Sequence, residues 1–205
     1  MIILNKKKYT IYISEKKDGT AREIPEFIYT KQVHGNDIHI LDQYIDFINS
    51  DNDGILSEIP NARIWVLLAD CNGIIVMGNT WYGVIHAGRR WLQNSIIEKA
   101  LAMLHKKWEE LDWLQVYIWP SIRKCCYEVG DEFLWYFDKK YLNKREWKLY
   151  FDMIAHIHDT LIQAWIHKQN IEIHSDCTAC SDKFFSYRKQ NNNQRIVVGI
   201  KKQSI

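Results

Sequence analysis

Apolar and polar positions change period several times along the chain, and each change predicts an element. Residues 2–4 and 9–13 are short apolar runs split by Lys6, Lys7 and Lys8, as two strands of a hairpin would be, and Asp18-Gly19 turns the chain. Residues 26–33 are strand-like and run into the turn cluster His34-Gly35-Asn36-Asp37, ahead of the apolar stretch 38–41. Asp51-Asn52-Asp53-Gly54 is a further turn. Residues 64–69 form one continuous apolar run of strand length that ends at Asp70-Cys71. Residues 74–77 and 81–85 flank Gly78-Asn79-Thr80 in hairpin fashion, and the second run leads into His86, Ala87 and Gly88.

The period then lengthens. Ile96, Ile97, Ala100, Leu101 and Leu104 recur at helical spacing, which predicts an amphipathic helix over 94–110 with Asn94 or Ser95 as its cap. Residues 116–119 read as a strand stopped by Pro120, and 129–137 have helical spacing in Phe133, Leu134 and Phe137. A second long amphipathic helix is expected over 152–168. Strands follow at 171–174 and 184–187 around a cysteine-containing turn, and a last strand at 195–200. Strands and helices mix without strict βαβ alternation, and no repeat, low-complexity tract or linker divides the chain. The expectation is one domain, residues 1–205, of mixed α and β character.

Composition narrows the function. The 205 residues are 47% hydrophobic, enough for a packed core, and nine Trp with 13% aromatics argue against disorder. A net charge of +2, from 27 basic and 25 acidic residues, gives no case for nucleic-acid or membrane binding. Charge following a very short apolar run at the N-terminus is the reverse of a secretory signal, and no apolar stretch approaches the roughly 20 residues of a membrane helix. A cytoplasmic protein, monomer or weak dimer, is therefore expected. Five cysteines, an odd number, do not suggest a disulfide framework in a chain this long. They read as free thiols or metal ligands.

His34, Cys71 and His86 share one property: each falls where an apolar strand ends, so that neighbouring strands can bring them together beside a pocket. Two imidazoles and a thiolate match a catalytic zinc site, in which three protein ligands leave the fourth position open. The same residues read equally as a buried thiol and two hydrogen-bonded core histidines, because their separations are long and spacing does not decide. Other pairs read as structural. Cys125 and Cys126 are adjacent, so their side chains should diverge, and free Cys is commonly a small buried hydrophobe. Cys177-x-x-Cys180 has no second such pair in the sequence, which argues against a closed zinc knuckle or a disulfide switch. His156-Ile157-His158 should lie on a helix, where residues two apart face different ways, and reads as a surface pair.

Several segments in order along the chain resemble the YfiH-type, or laccase-domain, family of zinc-dependent purine nucleoside phosphorylases. Gln32-Val33-His34-Gly35 is similar to the first histidine motif of that family and Asp53-Gly54 to the acidic turn after it. Leu68-Ala69-Asp70-Cys71 matches the cysteine motif, and Val84-Ile85-His86-Ala87-Gly88 the second histidine motif. Pro120-Ser121-Ile122 with Cys125-Cys126-Tyr127-Glu128-Val129-Gly130 resembles a longer signature. Cys177-Thr178 and Phe184-Phe185-Ser186-Tyr187-Arg188 resemble the terminal one. The resemblance implies an α+β fold of two packed mixed sheets flanked by helices, a four-layer α/β/β/α arrangement. It implies zinc on His34, Cys71 and His86, and phosphorolysis of adenosine, inosine and methylthioadenosine with adenosine deamination as a second activity. Purine nucleoside and phosphate are then the partners. Two segments depart from the pattern: Arg89-Arg90-Trp91 stands where the family has Trp-Arg-Gly, and Arg188-Lys189 leads to Asn193-Gln194-Arg195 instead of a second arginine and Thr-Gly-Arg.

Physical roles follow from that implied site. Zinc lowers the pKa of a water toward roughly 7 and so supplies hydroxide for attack on C6 of adenine. Phosphorolysis instead needs an anion held near the ribose, a task suited to the planar fork of arginine. Arg90, Arg188 and Arg195 are the candidates, with Arg90 assigned to catalysis, and Arg188, Arg195 and Gln32 to substrate binding. Asp70, beside Cys71, is a candidate proton carrier or an orienting group. Three rival readings remain. A cysteine hydrolase would use Cys71 and His86 as nucleophile and base, and a nonenzymatic nucleoside-binding protein would keep the pocket without the chemistry. A multicopper oxidase would need more paired histidines than eight scattered ones supply.

Overall fold

The computed structural model describes residues 1–19, 27–45 and 48–204, the side chain of Trp91 excepted. The chain runs through β1 (Ile2–Lys6), β2 (Tyr9–Ile13), β3 (Thr30–Lys31), β4 (Ile38–Leu41) and β5 (Ile48–Asp51). Then come β6 (Gly54–Ser57), β7 (Arg63–Leu68), β8 (Asn72–Met77), β9 (Tyr82–Ala87), α1 (Arg89–Gln93) and α2 (Ile96–Lys106). The second half holds β10 (Gln115–Ile118), β11 (Glu128–Val129), α3 (Phe133–Tyr136), β12 (Leu142–Arg145) and β13 (Lys148–Phe151). It closes with α4 (Met153–Gln163), β14 (Ile171–Ile173), α5 (Tyr187–Gln190) and β15 (Ile196–Lys202).

Two sheets carry the α+β architecture. The smaller is antiparallel throughout, in the order β1-β2-β15-β7, and the larger runs β14-β10-β8-β9-β6-β4. The larger is mixed: its two edge pairs, β14 with β10 and β4 with β6, are parallel, and its inner pairs antiparallel. Residues two apart share a face of a strand. Ile11 and Ile13, Ile64, Val66 and Leu68, and Val198 and Ile200 therefore meet Ile75, Met77, Tyr82 and Val84 between the sheets. The alternate set on the larger sheet, Ile74, Val76, Ile85, Ala87, Val116 and Ile118, faces the other way. There it packs on Ile96, Ala100, Leu101 and Leu104 of α2 and on Met153, Ile157 and Leu161 of α4. With core on both faces, β8 and β9 are buried at every position, which is why they read as unbroken apolar runs.

The β8–β9 hairpin sits where expected, and a distant carboxylate fixes its turn. Glu109, 4% exposed, accepts backbone N–H groups from Asn79 at 2.8 Å, from Thr80, and from Trp81 at 2.6 Å. These bonds tether the turn to the buried carboxylate.

Elsewhere the structure departs from the pattern. Of the strand expected over 26–33, Glu26 lies outside the described residues; the rest gives only β3 and a lone bridge from Ile28 to Ile64. The stretch 184–187 is not a strand. Phe184 and Phe185 plug the core, and Ser186 accepts from Lys189 N to start α5. The expected helix at 129–137 shrinks to one turn, α3, after β11. His156 is no surface residue: its ring packs on Phe137, Tyr141 and Phe151 at 5.0–6.2 Å.

Candidate active site

At one end of the packed sheets a cavity of about 610 Å3 is lined by Gln32, His34, Asp70, Cys71, His86, Arg89, Tyr127, Arg188 and Arg195, among others. His86 arrives at the end of β9, Cys71 in the tight link from β7 to β8, and His34 in the loop after β3. The structure thus brings residues 34, 71 and 86 to one wall, with the His34 and His86 rings 5.6 Å apart and nearly perpendicular. His34 and Asp70 both have left-handed backbones, φ 67° and 80°. Such conformations cost non-glycine residues about 1 kcal/mol or more and cluster at functional sites.

Asp53 organises this wall. Its fully buried carboxylate accepts N–H groups from Val33 at 3.3 Å, His34 at 3.2 Å and Gly35 at 2.7 Å, which fixes the loop that presents His34. It also contacts His86 Nδ1 at 3.1 Å. With Asp53 as acceptor at that contact, the consistent tautomer has Nδ1–H donating to its carboxylate. Gln32, against the same nitrogen, is pinned through its amide to Leu67 N and O at 2.7 and 2.9 Å. Burial holds the imidazoles of His34 and His86 below their ordinary pKa, with Asp53 opposing; the charges of Arg90 and then Arg195 reinforce it at His34, and that of Arg195 at His86. Both are neutral at neutral pH, as metal ligands must be. Cys71 faces the cavity but is hemmed in by protein, and burial, aided by Asp70, pushes its thiol up to about 12. That chemistry, two neutral imidazoles and a thiol with one imidazole braced by a carboxylate, fits a zinc ion.

Asp70 is tied to two other segments. Thr178 Oγ1 donates to its Oδ1 at 2.6 Å and Arg188 N to its Oδ2 at 2.7 Å, while its carbonyl accepts from Ile122 N at 2.9 Å. The arginines separate. Arg188 and Arg195 line the cavity, the former donating to Glu128 O at 3.0 Å with its guanidinium 5.5 Å from the Tyr127 ring centre. Arg195 donates to the carbonyls of Asn192 and Gln194. Arg90 is exposed on α1, whereas its neighbour Arg89 lines the cavity and covers Phe133 at 4.8 Å. Asp53, Tyr127 and Thr178 fall in segments that resemble family motifs but carried no assigned role in the sequence, and Arg89 was not singled out as a site residue. A buried acid among turn residues and a threonine directly after Cys177 were the available signals.

The cysteines overturn two expectations. Cys125 and Cys126 do not diverge: both sulfurs converge on Cys180 Sγ, at 3.6 and 3.2 Å. The missing partner of the Cys177-x-x-Cys180 pair is that adjacent pair, for all four ligand atoms lie within 4.8 Å of one another. The turn over 123–127 aims both thiols the same way, through Arg123 O accepting from Cys126 N at 2.9 Å and Tyr127 N at 2.8 Å. Spacing alone did not show it because the two pairs are about fifty residues apart.

Fold and cavity together define a class: two face-to-face sheets with helices outside, ending in a pocket of imidazole, thiol and guanidinium groups. Residues 15–201 match the family described as multi-copper polyphenol oxidoreductase laccase, and the chain belongs to it, the laccase-domain or YfiH-type proteins. It is 34% identical to a purine nucleoside phosphorylase of Aquifex aeolicus, over 78% of this chain and 77% of that one. It is 30% identical to another from Borreliella burgdorferi, over 94% and 88%. Adenosine deaminase RL5, from an unknown prokaryotic organism, is 24% identical over 87% and 76%. The crystal structure of Neisseria meningitidis protein NMB0706 superimposes with a TM-score of 0.83 at 15% identity, over 99% of both chains. Among the described residues no helix is long and apolar enough to cross a membrane.

Proposed function

We propose that the cavity is a zinc-dependent active site that cleaves purine nucleosides with phosphate, and that it deaminates adenosine as a second reaction. One observation carries this reading: two neutral imidazoles, a thiol and three arginines share a single cavity of about 610 Å3, a size suited to a small organic ligand and an anion. His34, Cys71 and His86 would hold the ion, which when bound supplies Lewis-acid polarisation and acidifies water. Arg188 and Arg195 bring positive charge and forked donors to the same wall, the requirement for holding phosphate. Tyr127, carrying Arg188 over its ring, offers an aromatic face toward the cavity for a planar base. Asp70 links the Cys71 turn to α5 and so sets the Arg188 segment against the metal ligands.

The relatives named purine nucleoside phosphorylase support the reaction class, and the one named adenosine deaminase supports the second activity. The copper in the family description is weighed against the ligands: two histidines and one thiol suit a single ion, and a multi-copper centre requires more imidazoles. A cysteine hydrolase would use the same Cys71 and His86, and metal content separates the two readings, because a thiolate held by zinc is a poor free nucleophile. The test is product identification with inosine. Phosphorolysis predicts hypoxanthine and ribose 1-phosphate, formed only when phosphate is present. Free ribose formed without phosphate dependence would refute it.

A further inference from the structure

From the four converging cysteines we infer that Cys125, Cys126, Cys177 and Cys180 form a second metal site, a closed tetrahedral zinc site separate from the active-site ligands. Zinc–sulfur bonds of about 2.3 Å place the sulfurs of a regular tetrahedron about 3.8 Å apart. Here two sulfur pairs lie at 3.2 and 3.6 Å and all four ligand atoms within 4.8 Å, so closing on an ion needs shifts of an ångström or less. A single disulfide is a poorer account, because Cys180 faces two partners and any one bond leaves two thiols stranded in the same cluster.

The surroundings suit a thiolate cage. Each pair sits on a tight turn, Cys126 N and Tyr127 N bonding to Arg123 O, and Cys180 N and Ser181 N to Cys177 O at 3.2 and 2.9 Å. Arg123 N donates to Cys177 Sγ at 3.4 Å, the kind of N–H contact that braces a ligating sulfur. On binding, each thiol passes its proton to solvent, and four thiolates on a divalent ion carry a net charge of −2. Positive charge is at hand to meet it: Arg123 Nη1 is buried without a hydrogen-bond partner.

The site would act as a clip behind the active cavity. It joins the turn that carries Tyr127 to the turn that carries Thr178, already linked by a bridge from Ser121 to Cys177. Thr178 holds Asp70 at 2.6 Å, and Asp70 holds Arg188. Metal in the clip therefore positions the Asp70 and Arg188 segment without touching substrate.

Metal analysis of two full-length variants, purified reduced and dialysed against stoichiometric zinc, tests this. His34→Ala/Cys71→Ala should retain one tightly bound zinc per chain, with X-ray absorption at the zinc edge showing four sulfur neighbours at about 2.3 Å. Cys177→Ser/Cys180→Ser should lose that ion; should this variant not fold, thiol labelling of His34→Ala/Cys71→Ala serves instead, in which the four remaining cysteines become reactive only after a chelator is added. No zinc in His34→Ala/Cys71→Ala, a coordination shell containing nitrogen, or a disulfide in the reduced wild-type protein would each overturn the inference. Failure of the active-site reading shows separately, as wild-type protein holding the four-sulfur ion alone.

Discussion

At the scale of single residues, the site works through groups that touch no ligand. Asp53 fixes the His34 loop by three N–H bonds and His86 by a fourth contact. Replacing a carboxylate that orients a ligating histidine typically costs 10–100-fold in metal affinity. Asp53→Asn should therefore weaken zinc at the active cavity by about that factor, read by competition with a chromophoric chelator, and leave the four-cysteine ion in place. Equal affinity in variant and wild type would remove Asp53 from the site. The arginines predict a different split. Removing a charged hydrogen bond costs about 1.5–3 kcal/mol, so Arg188→Ala should raise KM for phosphate roughly 10–100-fold while sparing deamination. Arg90→Ala, on the exposed side of α1, should do much less; equal losses of both activities in the two variants would show that neither acts on phosphate.

The three metal-ligand candidates were legible because each ends an apolar run, and the motifs around them named the family. Asp53 was legible as part of an acidic turn motif, but its bracing role was not, because a buried acid and a solvated turn acid look alike in a sequence. Arg89 and Arg90 were inseparable for a similar reason, since which of two neighbours faces a cavity depends on the phase of a five-residue helix.

At the scale of elements, patterns longer than about ten residues or fully buried were read well. Strands β8 and β9 and helices α2 and α4 appear close to the positions their periodicities give. Short pieces were read poorly. The β12–β13 hairpin, with Lys144, Arg145, Glu146 and Lys148, has no apolar run to announce it. Residues 184–187 look like a strand only because two core phenylalanines precede a tyrosine that opens a helix. The β8–β9 turn depends on Glu109, thirty residues away, and that bond makes a prediction. Glu109→Ala removes three hydrogen bonds to a carboxylate and should cost about 3 kcal/mol, or roughly 6–12 °C in Tm by calorimetry. A loss within one degree would mean that the turn holds itself.

At the scale of the whole molecule, the two sheets pack face to face and the loops at one end line the candidate cavity. Three separated stretches, 32–34, 70–71 and 86, supply the cavity wall, and the C-terminal segment 177–195 closes over it through Thr178, Arg188 and Arg195. This assembly makes the proposed activity dependent on an ion that no single segment could hold. The most direct measurement is inosine cleavage in phosphate by protein stripped of metal and then reloaded with zinc or with copper, quantified as ribose 1-phosphate. Stripped protein should show no turnover, zinc but not copper should restore it, and Cys71→Ala should not recover. Full activity in the stripped protein, or none in wild-type protein carrying zinc at His34, Cys71 and His86, would contradict the proposed function.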